Sequence, residues 1–375
     1  MSERSERQVQ AVWPPLRPEL AGIEPYGAPQ LDVPVQLNVN ENPYGPSAEC
    51  VADIAEAAAE AAVTLNRYPD REFVELRRAL AEYLSKDAPV SADMVWAANG
   101  SNEVMLQLLQ AFGGPGRTAV SFAPTYSMYP EYARDTHTEW VAGAREDDFS
   151  LDLDKARALI EEVRPSVVLL PSPNNPTGTA LPPEAIGLLC EVVGDRGIVV
   201  VDEAYGEFRR AGVPSALESL ATWRNLVVTR TMSKAFAGAG LRLGYLAAHP
   251  AIVDAIRVVR LPYHLSAVTQ AVALAALRHA PELLGKVDEL RSERDRTVDW
   301  LRGQGHEVAE SDANYVLFGR FADRHAVWQG LLDHGVLIRE VGPDGWLRVS
   351  IGTAAEMDTF KTALVAVLNP RGAES

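Results

Sequence analysis

The 375-residue sequence predicts an α/β protein with a large domain built around a mostly parallel sheet, followed by a smaller α+β domain. Two observations lead to this fold class. Short apolar runs alternate with helical patterns up to about residue 247, and after Ser266 long helices come first and short strands follow. The length also exceeds the usual size of a single core. We therefore expect an N-terminal arm (residues 1–46), a large domain (47–265) and a small C-terminal domain (266–375).

The individual elements follow from composition and periodicity. The arm is rich in proline, which breaks helices, and helical periodicity then covers 50–63 and 72–84. Apolar runs without polar alternation are typical of strands covered on both faces. Such runs predict strands at 118–122, 166–170, 197–201, 226–229 and 243–247. The C-terminal part is predicted to contain helices at 266–279, at 281–303 and from 354 onward, with strands at 314–318, 336–339 and 346–350.

Composition excludes several classes of function. A formal net charge of −16 disfavours nucleic acid as a partner, and no run approaches the roughly 18 apolar residues of a membrane span. The two cysteines, Cys50 and Cys190, are far apart and have no Cys or His at metal-ligand spacing, so we expect no metal and a reducing cytoplasm. Residues 1–20 mix charges with prolines, unlike a signal peptide.

The motif that indicates chemistry most directly is Thr231-Met-Ser-Lys234, which follows an apolar strand and precedes a glycine-rich turn and Arg242. A lysine between a buried strand and such a turn would be partly desolvated, which lowers its pKa and permits Schiff-base chemistry. Arg242 and the hydroxyls of Thr231 and Ser233 could hold a phosphate. Taken alone, the Ser-Lys pair favours a surface lysine in a loop, and it is the other motifs that favour the catalytic interpretation.

Two further polar groups follow predicted strands. Asp202 ends the run Ile-Val-Val-Val and opens Asp-Glu-Ala-Tyr205, while Asn175 lies in Ser172-Pro-Asn-Asn-Pro-Thr-Gly178. The carboxyl ends of parallel strands border the crevice where α/β sheets bind ligands. Asp202 could instead cap a helix, and the Asn-Pro loop could be only a tight turn.

The stretch Asn99-Gly-Ser-Asn-Glu103 precedes an apolar helix, so Ser101 or Asn102 would place free backbone N–H groups at a helix N-terminus, where phosphate binds well. An ordinary capped helix has the same pattern. Tyr126 begins the next strand-to-helix junction and could either stack on a flat ring or pack in the core.

In combination, these motifs resemble the fold-type I aminotransferases, and within them the histidinol-phosphate aminotransferase group. The resemblance runs from Tyr26 to Gly352. The motifs that carry it are Asn38-Val-Asn-Glu-Asn-Pro-Tyr-Gly-Pro-Ser47, Arg67-Tyr-Pro-Asp70, Asn99 to Glu103, Ser172 to Gly178, Asp202 to Tyr205, and Ser233-Lys234 with Arg242.

The resemblance implies a pyridoxal 5'-phosphate enzyme in which Lys234 forms a Schiff base with the cofactor. It implies that Asp202 pairs with the pyridine nitrogen, that Asn175 and Tyr205 bond the phenolic oxygen, and that Tyr126 stacks on the ring. The implied phosphate ligands are Ser101, Asn102, Thr231 or Ser233, and Arg242, with Tyr68 contributed by the partner subunit of a homodimer. Asn102 stands where some relatives have an acid, so a contact that needs a carboxylate would be lost there.

For the substrates, the resemblance implies a small-molecule amine and a 2-oxo acid. Arg348 matches the arginine that receives the substrate carboxylate, and Tyr26, Asn314 and Arg339 match positions that close the pocket. Histidinol phosphate and 2-oxoglutarate, in histidine biosynthesis, are the expected pair. One pocket must then accept phosphate and carboxylate, which a guanidinium can do.

Other functions remain open at this point. A phospho-amino-acid decarboxylase or an aromatic amino-acid aminotransferase would share the cofactor residues. A nicotinamide dehydrogenase is disfavoured because the glycines at 238, 240 and 244 have the wrong spacing for a dinucleotide fingerprint. A cofactor-binding regulatory protein would need a pocket without Arg348.

Overall fold

The computed structural model describes residues 16–369, so the first 15 residues of the predicted arm lie outside the described residues. The chain divides into two compact units, residues 1–30 and residues 31–375. The described part of the first unit is mainly extended, apart from a short 3-10 helix at Pro18–Leu20 that begins with a proline. The second unit contains all the elements below.

The second unit alternates strands with helices along most of its length. The strands are β1 (Val35–Gln36), β2 (Val95–Ala98), β3 (Thr118–Ala123), β4 (Glu139–Ala144), β5 (Val167–Pro171), β6 (Ile198–Asp202), β7 (Leu226–Thr231), β8 (Gly244–Ala248), β9 (Glu307–Val308), β10 (Tyr315–Gly319), β11 (Val336–Leu337) and β12 (Trp346–Ser350). The helices are α1 (Ala48–Ala62), α2 (Val74–Leu84), α3 (Ser101–Phe112), α4 (Tyr129–Asp135), α5 (Leu153–Val163), α6 (Pro183–Val193), α7 (Pro250–Val259), α8 (Ala267–Arg278), α9 (Ala280–Gly285), α10 (Val287–Gly303), α11 (Arg324–Asp333) and α12 (Ala354–Leu368).

A seven-stranded sheet in the order β2-β8-β7-β6-β5-β3-β4 forms the centre of this unit. Strands β3 to β7 are parallel, and only β8 pairs antiparallel, with β7 and β2. Every residue of β5, β6, β7 and β8 is buried, as expected for strands covered by helices on both faces. The predicted α/β class with a mostly parallel sheet is confirmed.

The register of this sheet brings three strand ends together. Pro171 of β5 pairs with Asp202 of β6, and Asp202 pairs with Thr229 of β7. Because the three strands run parallel, the loops that follow them open on one edge of the sheet. That edge carries the candidate site.

A smaller three-stranded antiparallel sheet, in the order β12-β10-β9, lies in the C-terminal part. Together with α10, α11 and α12 it forms a separate apolar cluster that also includes Val35 and Leu37. The chain around β1 belongs to this cluster because β1 pairs with β11 and the carbonyl of Leu37 accepts from the backbone N–H of Ser350 at 2.9 Å. The boundaries predicted at residues 46 and 265 stay a prediction.

The structure contains elements that were not predicted. Strands β1, β2, β4 and β9 were not expected, because β1 and β9 have two residues each, β2 has four and β4 contains a glycine, so their periodicity is weak. Helix α11 was not predicted either. The helix predicted at 281–303 is divided into α9 and α10 at Lys286, next to Gly285, a poor helix former. Over residues 16–369, no helix combines the length and apolar character needed to cross a membrane.

Candidate active site

A cleft of about 50 Å³ opens at the carboxyl ends of β5 and β6. Five of the residues predicted for the site line it together: Ser101, Tyr126, Asn175, Asp202 and Tyr205. They come from four loops that are distant in the sequence, and the sheet register described above is what brings them together. The cleft therefore contains one carboxylate, one amide and two phenol groups.

Asp202 is the buried acid of this cleft. Its Oδ1 accepts hydrogen bonds from the hydroxyl of Thr229 at 3.0 Å and the backbone N–H of Ala204 at 3.2 Å, and its Oδ2 accepts from the hydroxyl of Tyr129 at 3.1 Å. Burial raises the pKa of Asp202 to about 6, and the hydrogen bonds from Thr229, Tyr129 and Ala204 oppose that rise. The three donors thus help to keep a desolvated carboxylate ionised.

Tyr129 and Thr229 were not among the predicted site residues. Burial raises the pKa of Tyr129 well above its ordinary value, so its hydroxyl stays protonated and donates to Asp202. Thr229 faces Asp202 because the two residues pair in the sheet. A signal for Thr229 was present in the strand pattern, since it lies two residues before Thr231 and so on the same face. Tyr129 gave no local signal beyond its position three residues after Tyr126.

Lys234 follows β7 and is partly buried. Its Nζ donates to the backbone carbonyl of Val39 at 2.8 Å and lies 5.9 Å from the ring centroid of Tyr205. Burial lowers the pKa of Lys234 to about 8, the positive charges of Arg348 and Arg242 add to the decrease, and Glu41 opposes it. A substantial fraction of this amine is therefore neutral near physiological pH, as a nucleophilic lysine requires.

The predicted phosphate ligands surround the N-terminus of α3. The guanidinium of Arg242 donates to the Ser233 hydroxyl at 3.3 Å, and the Thr231 hydroxyl donates to Ser233 at 3.0 Å. A Cβ atom at Gly100 would lie 2.6 Å from the Arg242 guanidinium, and one at Gly244 would overlap the backbone nitrogen of Ser101. Two glycines thus allow the arginine and β8 to approach the start of the helix, where N–H groups favour an anion.

Tyr126 and Asn102 are joined at the rim of this region. The Tyr126 hydroxyl donates to the side-chain oxygen of Asn102 at 3.3 Å, and the Tyr126 ring packs edge to face against Tyr129 at 5.5 Å. The amide of Asn102 therefore fixes a tyrosine that lines the cleft.

Arg348, on β12, reaches the cleft from the smaller sheet. It is buried, and its two terminal nitrogens donate to the side-chain oxygen of Asn175 at 2.6 Å and to the backbone carbonyl of Asn38 at 2.7 Å. Its guanidinium also lies over the ring of Tyr315 at 5.1 Å. Arg348 thus connects the loop after β5 to the segment after β1, with its charge next to the cleft residue Asn175.

Arg339 and Asn314 are the other described substrate candidates in this unit. Arg339 forms an antiparallel bridge with Arg348 through bonds of 2.9 and 3.0 Å, so the two side chains leave the same face. Asn314 is fully buried and donates to the carbonyl of Asn40 at 3.1 Å, while its side-chain oxygen has no hydrogen-bond partner within residues 16–369.

Tyr205 is held from the segment after β1. The side-chain N–H of Asn40 donates to the Tyr205 hydroxyl at 2.9 Å, and the Tyr205 ring packs edge to face against Tyr315 at 4.9 Å. Asn40 is 1% exposed and adopts a left-handed backbone conformation with φ +57°. The sequence analysis had used this segment only as a motif and had assigned Asn40 no role.

Tyr68 and Tyr26 are the two remaining predicted residues. Tyr68 is 80% exposed, and its ring stacks on Tyr263 at 4.5 Å. Tyr26 belongs to the first unit, where it is exposed, and its part in the substrate pocket stays a prediction.

Cys50 lies beside two groups that the sequence had not connected with it. Its sulfur and ligand atoms of His279 and Glu282 lie within 4.8 Å of one another. His279 already pairs with Asp53 at 2.8 Å, and Glu282 accepts from the backbone and hydroxyl of Ser47. These contacts join α9 to α1 without requiring an ion.

Comparisons with known proteins agree with this geometry. A family model described as aminotransferase class I and II matches residues 33–364. Histidinol-phosphate aminotransferase from Thermobifida fusca is 64% identical over 351 residues, covering 94% of this chain and 95% of that protein. The histidinol-phosphate aminotransferase from Bifidobacterium longum is 58% identical over 372 residues, with coverage of 94% and 96%.

Among solved structures, histidinol-phosphate aminotransferase from Sinorhizobium meliloti in complex with pyridoxal-5'-phosphate has a TM-score of 0.85 at 24% identity, covering 96% of this chain and 99% of that one. This likeness concerns the fold. From the family model and the close relatives together, the chain belongs to the class I and II aminotransferase family, and within it to the histidinol-phosphate aminotransferases.

Proposed function

We propose that this protein transfers an amino group between histidinol phosphate and 2-oxoglutarate, with pyridoxal 5'-phosphate as cofactor, in the cytoplasmic pathway of histidine biosynthesis. The observation that carries the proposal is an arrangement of three groups around the cleft. The buried carboxylate of Asp202 lines it, the amine of Lys234 with its lowered pKa lies 5.9 Å from the ring of Tyr205, and the buried Arg348 donates to Asn175. The choice of histidinol phosphate as substrate is based on the similarity to histidinol-phosphate aminotransferases.

The residues of the cleft fit this cofactor. Lys234 would hold it covalently, Asp202 would face its ring nitrogen, and Asn175 with Tyr205 would bond its phenolic oxygen. Ser101, Asn102, Thr231, Ser233 and Arg242 would hold its phosphate, and Tyr126 would lie against the ring. Gly100 and Gly244 have no side chains, which leaves room for an anion at the start of α3. When bound, the cofactor supplies an aldehyde that bonds the substrate amine and a ring that withdraws electrons from the neighbouring carbon.

Lys234 then has a second task, which is to move a proton. A neutral Nζ can accept the proton from the substrate carbon, and the resulting ammonium can return it, so one residue acts first as base and then as acid. Its pKa of about 8 suits both directions near neutral pH. The carbonyl of Val39, 2.8 Å from Nζ, provides a fixed acceptor that limits where the amine can move.

Asp202 would hold a proton on the ring nitrogen of the cofactor. Its carboxylate can do so only while ionised, and the bonds from Tyr129, Thr229 and Ala204 stabilise that form against the cost of burial. A ring that keeps this proton withdraws electrons more strongly.

Arg348 and Arg339 would receive the anionic groups of both substrates. Histidinol phosphate carries a phosphate and no carboxylate on its α-carbon, whereas glutamate carries two carboxylates, and the planar guanidinium matches both anions. Arg348 is already positioned by Asn175 and the Asn38 carbonyl. Asn314 and Tyr26 would complete the pocket.

The active form would be a homodimer in which Tyr68 reaches the phosphate site of the partner subunit. Tyr68 and Tyr263 form an exposed stacked pair, and Val63, Leu65, Val258 and Leu261 are also exposed large apolar side chains. Apolar side chains left exposed in this number are typical of an interaction surface. We expect a second copy of the chain to cover this surface, so that Tyr68 lies at the partner subunit's site for the cofactor phosphate.

A half-reaction screen tests the proposal. The holoenzyme is mixed with histidinol phosphate, glutamate, phenylalanine or threonine phosphate, and loss of the visible absorption band is followed by stopped flow. We expect rapid loss with histidinol phosphate and glutamate, and slow loss with the other two amines. Fast reaction with phenylalanine would instead favour an aromatic amino-acid aminotransferase, and release of carbon dioxide from threonine phosphate a decarboxylase.

A further inference from the structure

We propose that Asn40 is a positioning residue that sets the direction of the Tyr205 hydroxyl, so that Tyr205 donates its proton into the cleft. The inference rests on the proposed function, because it assigns Tyr205 a fixed role toward the phenolic oxygen of the bound cofactor. Asn40 belongs to a motif that carries the family resemblance, but the resemblance assigns it no role.

Asn40 is bonded through all its polar groups. Its backbone N–H donates to the Ser350 hydroxyl at 2.8 Å, its backbone carbonyl accepts from Asn314, and its side-chain oxygen accepts from the Ser350 hydroxyl at 2.9 Å. Its side-chain nitrogen faces the Tyr205 hydroxyl at 2.9 Å. A side chain held at this many points has a single orientation.

The Ser350 hydroxyl determines which way the Asn40 amide faces. Because this hydroxyl accepts from the Asn40 backbone N–H, its own single proton is available for the Asn40 side-chain oxygen. The amide oxygen therefore lies on the Ser350 side, and the NH₂ group lies on the Tyr205 side. The left-handed backbone at Asn40, which asparagine tolerates better than most residues, fixes this position.

An amide N–H can only donate, so the Tyr205 oxygen must accept at this contact. One lone pair of the phenol is thereby occupied, and its proton has to point in another direction. Tyr205 lines the cleft with Asn175 and Asp202, and we infer that its hydroxyl proton points into that cleft. The consequence is a donor whose orientation is set before the cofactor arrives, which removes the cost of reorienting it.

The expected effect is on the protonation of the bound cofactor. A donor to a negatively charged oxygen stabilises the deprotonated chromophore, so loss of the donor raises the pH at which the visible band titrates. A hydrogen bond to a charged group corresponds to a shift of about 1 unit. If Asn40 acts through Tyr205, its removal has this effect only while Tyr205 keeps its hydroxyl.

The experiment is a double-mutant cycle read by absorbance against pH, without reference to turnover. We expect Asn40→Ala and Tyr205→Phe each to raise the midpoint by about 1 unit, and Asn40→Ala to add no shift in the Tyr205→Phe background. Asn225→Ala, which removes an asparagine that bonds the carbonyls of Cys190 and Gly194 far from the cleft, should leave the midpoint unchanged.

An unchanged midpoint in Asn40→Ala, or an equal shift in both backgrounds, would overturn the inference. If Asn40→Ala does not fold, Asn40→Asp replaces it. Its carboxylate accepts a hydrogen bond from the Tyr205 hydroxyl and so turns that proton away from the cleft. The shift must therefore be larger with Tyr205 present than in Tyr205→Phe, and equal shifts would again overturn the inference. A wild-type protein that forms no visible band with pyridoxal phosphate refutes the proposed function instead, so the two failures are distinguishable.

Discussion

The hydroxyl of Tyr129 donates a 3.1 Å hydrogen bond to Oδ2 of Asp202, and both groups are buried. The bond connects the first residue of α4 to the last residue of β6. It supplies one of three donors to a carboxylate whose pKa burial raises to about 6. Asp202 thus depends on its neighbours for its charge.

Replacing Tyr129 with phenylalanine should raise the pKa of Asp202 further, since a donor to the ionised form is lost. The carboxylate disappears as pH falls through its pKa, so the acid limb of kcat/KM should move to higher pH by about 1 unit. Activity at pH 8 should change less than activity at pH 6. The measurement is kcat/KM against pH, with Tyr245→Phe as control because the buried Tyr245 hydroxyl has no hydrogen-bond partner in the described chain. If the acid limb of kcat/KM lay at the same pH in wild type and in Tyr129→Phe, this assignment would be contradicted.

The depressed pKa of Lys234 gives a pH prediction for the apoprotein. Only the neutral amine attacks an aldehyde, so the rate of cofactor attachment should rise with pH and reach half its maximum near pH 8.

Lys234→Ala should form no visible band and have no turnover, whereas Lys286→Ala, at the surface, should behave as wild type. Turnover retained by Lys234→Ala would remove the central role given to this residue.

The same shift predicts a change in stability. A lysine whose pKa is lowered on folding opposes folding in its charged form, and the cost is fully present below pH 8 and vanishes above the ordinary pKa of 10.5. The variant Lys234→Met should therefore stabilise the apoprotein at pH 7 by on the order of 1–3 kcal/mol. Chemical denaturation at pH 7 and pH 10 checks this, and a benefit that does not diminish at pH 10 would argue against it.

Replacing Arg348 and replacing Arg242 should affect different steps, the first mainly substrate binding and the second mainly cofactor binding. Arg348→Ala removes a buried cation, so KM for glutamate should rise by about 100-fold, in line with loss of a buried charge pair, while cofactor affinity changes little. Arg242→Ala should mainly weaken cofactor binding. Steady-state kinetics and cofactor titration separate the two. If Arg348→Ala lost cofactor first, the assignment of the arginines would be wrong.

The close approach of β8 to α3 predicts the effect of one added methyl group. Gly244→Ala would place a Cβ atom against the backbone of Ser101, so β8 or the start of α3 must shift, at a cost of about 1–3 kcal/mol. Both the unfolding free energy and the affinity for pyridoxal phosphate should fall. Gly240→Ala is the matched control, since a Cβ there meets nothing within 4 Å. Equal effects at both positions would refute the proposed contact.

The exposed apolar residues near Tyr68 give a prediction for assembly. Val258→Glu with Leu261→Glu should weaken self-association and reduce cofactor affinity together, because Tyr68 would no longer reach the partner subunit. Sedimentation velocity and cofactor titration measure the two effects. Val365→Glu changes an exposed valine on α12 and should affect neither. A monomeric wild-type protein with full activity would exclude the dimer proposal.

The sequence predicts those parts of the site that depend on a residue and its own strand. Asp202 and Asn175 were identifiable because each follows a run of buried residues, and Lys234 because its loop has an unusual composition. Asn40, Tyr129 and the Val39 carbonyl were not, since their roles depend on pairing between segments more than 70 residues apart. The division of the predicted helix into α9 and α10 at Lys286 was not predicted, because the helical periodicity continues on both sides of Lys286.

The bonds between Asn40 and Ser350 join residues 310 positions apart in the chain. During synthesis, the start of α3, Lys234 and Arg242 leave the ribosome well before β12, which carries Arg348. Arg348 is therefore among the last parts of the site to be synthesised, and the contacts that hold Asn40 against Tyr205 can be completed only after β12 has left the ribosome.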